Sequence, residues 1–219
     1  MPLANVIISG AIAAAASGVV LPPPVSADVP LNEAQAPVFS VGEEWEFAYS
    51  NVLDPRQNHN YTQRVESLDS GGAHLSVASV GGAPSQLTLD ADGNAVEGSN
   101  GRFTPSTGQL HFPMRVGSEW SASYVFSNGG WSANDERHAE VVGKERVETP
   151  AGSFETFRIE SVIVWTGGGA NHGVGRATEK DWYAPSVGRI IKQEFQDIPN
   201  SKANAPTTTR FILIRHTAG

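Results

Sequence analysis

A chain of 219 residues with 15 basic against 23 acidic side chains, net charge −8 and no cysteine excludes several functions at once. No Lys/Arg cluster offers the basic footprint that nucleic acid or anionic lipid head groups require. Disulfides, thiolate metal sites, a thiol nucleophile and a lipid-modified N-terminal cysteine are all ruled out by composition.

The chain opens on an uncharged apolar run, Val6–Leu21, followed by Pro22-Pro23-Pro24 and then Val25-Ser26-Ala27. Small residues before Asp28 suit a signal peptidase, so residues 1–27 read as a signal peptide cleaved after Ala27. This predicts a periplasmic or secreted protein with no membrane span in the mature chain. The lack of Lys or Arg in Met1–Asn5 means that the start lies further upstream or that the signal is an unusual one, and an uncleaved membrane anchor is the competing reading. Residues 28–37 read as an extended lead-in and residues 38–219 as a single β domain, since barrels and sandwiches of roughly 200 residues are routinely one domain.

From there period-2 alternation dominates. Trp45, Phe47 and Tyr49 share one face, as do Trp120, Ala122, Tyr124 and Phe126. Phe157, Ile159, Ser161, Ile163 and Trp165 line one side of a long strand, and Ile191 and Phe195 alternate with Lys192 and Glu194. In Arg210–His216 both faces are apolar, which predicts a strand covered on both sides or an interface. Turn residues separate the runs: Asp90-Ala-Asp92-Gly93-Asn94, where Gly93 and Asn94 are expected to supply positive φ, then Pro150-Ala-Gly152 and Pro185-Ser-Val-Gly188. About ten to twelve strands are expected and no amphipathic helix.

A short echo stands out. Val41-Gly42, Glu44-Trp45 and Tyr49 recur with the same spacing as Val116-Gly117, Glu119-Trp120 and Tyr124. Aromatic residues at strand period read first as twin core strands, with a doubled ligand wall as the alternative. A duplicated half-barrel would leave such a trace.

Three segments carry a family resemblance. They are Phe112-Pro-Met-Arg-Val-Gly-Ser-Glu-Trp120, Val147-Glu-Thr-Pro-Ala-Gly-Ser-Phe-Glu-Thr-Phe-Arg-Ile-Glu160 and Trp182-Tyr-Ala-Pro-Ser-Val-Gly188. In this order they resemble bacterial envelope domains of unknown function related to the TapB-like and LolA/LolB-like group. The resemblance implies an all-β fold: a single antiparallel, strongly curved sheet forming an open or incomplete barrel. In the lipoprotein carriers of that group the concave sheet holds acyl chains. Their helical lid has no counterpart in this sequence.

Candidate chemistry is sparse. Gly167–Gly175 lacks the Lys and the following helix of a phosphate loop and reads as a hairpin connection. Asp90, Asp92 and Asn94 have the wrong Gly position for a calcium loop. Glu136, His138 and Glu140 would share a strand face as metal ligands, but a solvated face has the same pattern. The six histidines are scattered, and no nucleophile motif is present, so no catalytic residue and no cofactor is expected.

The expected function is a non-catalytic exported protein that binds an apolar or amphipathic ligand, a lipid or hydrophobic small molecule. Trp45, Tyr49, Trp120, Tyr124, Trp165, Trp182 and Tyr183 are the wall candidates. The alternative is an envelope scaffold with no small ligand, and the third reading is a hydrolase. Ligand identity and protein partners are not legible.

Overall fold

The computed structural model describes residues 32–168, 173–200 and 206–219. The leader, its cleavage site after Ala27 and the centre of the glycine loop, including His172, lie outside the described residues. The first half of the sheet contains β1 (Glu44–Asn51), β2 (His59–Asp69), β3 (Gly72–Ser79), β4 (Ser85–Asp90), β5 (Ala95–Gly98) and β6 (Gly101–Thr104). The second contains β7 (Glu119–Asn128), β8 (Trp131–Thr149), β9 (Gly152–Gly168), β10 (Val174–Ala184), β11 (Arg189–Pro199) and β12 (Thr207–Thr217). The one helical element described is a single 3-10 turn, Pro55–Gln57.

Each strand pairs antiparallel with its sequence neighbour, giving an up-and-down meander. The single, curved, antiparallel sheet matches the alternation read from the sequence. It differs from an open barrel at one seam. β1 also pairs with β12 from Glu44↔Thr217 to Asn51↔Thr209, so the sheet is closed. Closure satisfies both edges and leaves no strand to template aggregation. The apolar outer positions of β12, Ile212 and Ile214, are half-buried on the outside of this single layer.

The echo marks a repeat in the backbone itself. Gly42 (φ +89°) donates its amide to the Val65 carbonyl at 2.8 Å, and Gly117 (φ +83°) donates to the Val141 carbonyl at 2.8 Å. The Val65 amide bonds the Glu43 carbonyl and the Val141 amide the Ser118 carbonyl, both at 2.9 Å. A register shift follows Val65 in β2, and another follows Val141 in β8. Gly72 opens β3 at φ +143° and Gly152 opens β9 at φ +134°. The same devices thus recur in the same order in β1–β6 and β7–β12, which is what duplication of a six-stranded half produces.

Barrel width follows from strand number. About eight strands leave an interior that side chains just fill, whereas twelve leave a hole unless something else occupies it. One end is filled. There Trp45, Phe47, Val65, Leu75, Leu89, Ile191 and Leu213 form one buried cluster. Met114, Val141, Phe157, Ile159 and Tyr183 form a second. The connection between β6 and β7, residues 105–118, closes that end as a plug. Its Thr107 amide bonds the Ala95 carbonyl at 2.9 Å. Asn94 grips the plug at Leu110, accepting from its amide at 2.7 Å and donating to its carbonyl at 3.1 Å. The expectation of positive φ at Asn94 is therefore corrected. Among described residues only glycines adopt it, Gly93 at +84° carrying the turn alone, while Asn94 is buried as a clamp. The lead-in also takes part, since Ala34 is buried and bridges Met114 through two backbone bonds of 2.8 and 2.9 Å.

Candidate functional site

Above the plug the barrel encloses a cavity of about 870 Å³. This falls within the roughly 300–1,000 Å³ typical of small-molecule sites. Its wall is set by strand parity. In β8 the odd positions Ala133, Asp135, Arg137 and Ala139 point inward, and the even positions Asn134, Glu136, His138 and Glu140 are exposed. Glu136, His138 and Glu140 therefore stand on the outer face. His138 Nδ1 lies 2.8 Å from Ser121 Oγ on the neighbouring strand.

The upper wall is aromatic. Phe103 lies 6.0 Å from Tyr124 and 5.2 Å from Phe126, Phe126 lies 5.4 Å from Trp131, and Trp131 lies 6.3 Å from Trp165 (ring centroids). Trp165 Nε1 donates to Asp197 Oδ1 at 2.8 Å, which fixes the indole against the wall. Phe103, Phe126, Trp131, Phe195 and Phe211 are only half-buried although they point inward, because the cavity leaves part of each ring uncovered. Gly175 is required beside this wall: a Cβ there would come within 2.3 Å of the Trp165 ring.

The lower wall is polar and preorganised. Arg137 Nη1 donates to Glu179 Oε1 at 2.6 Å, and Arg137 Nε donates to the Thr107 carbonyl of the plug at 3.1 Å. Gln109, also from the plug, donates to Glu179 at 3.0 Å and to Asp181 at 3.3 Å, while Gln193 donates to Asp181 at 2.9 Å. Burial opposes ionisation of Glu179, but Arg137 and hydrogen bonds from Asp181 and Gln109 hold it below the usual carboxylate range. Burial and the adjacent Glu179 charge push Asp181 well above that range. One proton between two carboxylates, held on Asp181, and one arginine beside them make the cluster neutral. Asp135, higher on the wall, is pushed by burial to about 6, with Tyr124 and Arg137 acting in the opposite direction.

Of the residues expected on the wall, Tyr49, Tyr124 and Trp165 line the cavity. Trp45, Trp182 and Tyr183 are packed in the two core clusters instead. Trp45 has the inward parity but sits at the filled end, its Nε1 on the Val187 carbonyl at 3.3 Å. A register shift between Trp182 and Tyr183 breaks parity there, and both rings are buried away from the cavity. Trp120 is half-buried under the plug, donating to the Gly108 carbonyl at 2.9 Å.

A family model described as DUF3108-like matches residues 135–203. That stretch contains the Val147–Glu160 and Trp182–Gly188 segments, while Phe112–Trp120 precedes it. A candidate lipoprotein from Parabacteroides distasonis shares the fold, with 15% identity over 84% of this chain and 99% of that one and a TM-score of 0.53. A candidate exported protein of YmcC-like fold from Bacteroides fragilis aligns at 18% identity, 84% and 99% coverage and a TM-score of 0.44. The hypothetical lipoprotein YmcC from Escherichia coli aligns at 11% identity, 79% and 84% coverage and a TM-score of 0.48. No curated protein matches the sequence.

Proposed function

We propose that this chain is a non-catalytic exported protein of the bacterial envelope that binds an amphipathic small molecule inside its barrel. The observation that carries the reading is the cavity itself: aromatic rings above, a neutralised polar floor below, and a plug that closes one end. Aromatic walls supply most of the contact area in small-molecule sites, and a few fixed polar groups set orientation. On the floor Arg137 and Glu179 are bonded to each other, which fixes both as an orienting polar surface. The leader-like start of the sequence and the candidate lipoprotein and exported protein of similar fold support an envelope address. The acyl-carrying hollow of the LolA/LolB-like group supplies the ligand class by resemblance.

The test is titration with the neutral dye N-phenyl-1-naphthylamine. Wild-type protein is expected to give a saturable rise in dye fluorescence. Thr209→Trp, which places an indole at a lining position on β12, is expected to weaken binding about tenfold or more with an unchanged circular-dichroism spectrum. No rise with wild type, or equal affinity in both proteins, contradicts the reading.

A further inference from the structure

Arg189 differs from every other charge on the cavity wall. Arg137 is paired with Glu179, and Asp197 accepts from Trp165. Asp135 is drawn toward its neutral form by burial. Arg189 forms no ion pair among the described residues. Its Nη2 donates to the neutral Gln63 Oε1 at 2.6 Å, its guanidinium carbon lies 5.1 Å from the Trp45 ring centroid, and its buried Nη1 has no hydrogen-bond partner. Burial pulls this guanidinium down to about 10, with Tyr61, Glu43 and Tyr183 acting against the shift, so it stays charged at neutral pH.

The repeat sharpens the contrast. The turn before β5 and the turn before β11 share a bond, Gly93 amide to Asp90 carbonyl and Val187 amide to Ala184 carbonyl, each at 3.0 Å. The positive-φ glycine of each turn, Gly93 at +84° and Gly188 at +66°, is followed by Asn94 in the first half and by Arg189 in the second. The fold therefore accepts a neutral side chain at this place in one half, and carries an unneutralised cation in the other. A desolvated cation without a counter-charge is costly, and a structure tolerates one where an anion comes to it.

We infer that Arg189 is the head-group receptor of the cavity and that the ligand is a monocarboxylate amphiphile; this rests on the cavity-binding reading above. The carboxylate docks on the Arg189 guanidinium, with the Gln63 side-chain nitrogen as a further donor. The tail lies along Phe47, Leu87 and Phe211 toward the aromatic upper wall. Charge-assisted bonds of this kind are about twice as strong as neutral ones. A phosphate dianion fits less well, because the described lining offers one unpaired cation and also carries Asp135 and Asp197.

The experiment is calorimetric titration of the wild-type chain with dodecanoic acid, dodecyl phosphate and dodecanol, repeated on Arg189→Gln. Wild type is expected to bind the acid about tenfold tighter than the alcohol, and tighter than the phosphate. Arg189→Gln is expected to remove that preference while leaving dodecanol affinity in place. Equal wild-type affinity for acid and alcohol overturns the receptor assignment and leaves cavity binding standing. Preference for the phosphate over the acid overturns the carboxylate. Binding of none of the three, together with failure of the neutral dye, overturns the binding reading itself. The wild-type comparison decides the matter even where Arg189→Gln does not fold.

Discussion

Glu179→Gln is expected to destabilise the barrel by up to about 3–5 kcal/mol, the usual cost of breaking a buried ion pair, reduced to the extent that Asp181 ionises beside Arg137 once the Glu179 charge is gone. Arg137 is almost fully buried, at 3% exposure, and Glu179 is the carboxylate bonded to it. Glutamine keeps the shape and one acceptor but removes the charge. The informative control is Asp181→Asn, one turn of the strand pleat away. Asp181 is 0% exposed, yet its proton already makes it neutral, so an amide replaces an acid without uncovering a charge. Its amide group can donate to Glu179 as the acid proton does. The expected loss is about 1 kcal/mol, the worth of one imperfect neutral hydrogen bond. Denaturant unfolding of the two variants reads the difference directly. Equal losses would place the shared proton elsewhere and contradict the charge assignment of the cavity floor.

Trp45→Ala is expected to cost about 3–5 kcal/mol, as large-to-small changes of fully buried aromatic residues do. Trp45 is 0% exposed, stacks on His216 with centroids 5.9 Å apart, meets Phe39 edge-on at 6.1 Å and lies under the Arg189 guanidinium. Its counterpart in the repeat, Trp120, is half-buried and held through the Gly108 carbonyl of the plug. Trp120→Ala is expected to cost less, about 1–3 kcal/mol, since less apolar area returns to water. Unfolding midpoints test the pair. A larger loss at Trp120 would show that the second half, not the first, carries the main packing.

The difference between these two tryptophans explains how much was legible. Alternation located the strands because one face of each is wet and the other is not, and glycine and proline located the turns. The Val-Gly-x-Glu-Trp echo located both half-barrels, since the positive-φ glycine and the strand behind it are local features. Depth along the barrel is not local. Tyr49 and Trp45 share a face, but one borders the cavity and the other lies in the filled end, which depends on where the plug sits.

Charged inward positions were hidden for a related reason. In β8 the outer triplet Glu136, His138 and Glu140 drew attention as a metal-like pattern. The interleaved Asp135 and Arg137, which border the cavity, have the same composition as a solvated face. The partner of Arg137, Glu179, and the adjacent Asp181 lie on β10, two strands away in the sheet, a separation no spacing rule reveals. Phe126, Phe195 and Phe211 did lie on recognised strand faces and could have been added to the wall. Arg189 directly follows the Trp182–Gly188 segment, but only its missing partner distinguishes it.

A barrel that holds a small amphipathic molecule should keep it through purification without detergent, and native mass spectrometry of the chain expressed into the bacterial envelope reads this. Wild type is expected to carry a bound species on the order of a few hundred daltons, the size that fills a cavity of this class, released on denaturation and absent from Thr209→Trp. The bare polypeptide mass alone from both proteins, with no uptake of N-phenyl-1-naphthylamine by either, would contradict it.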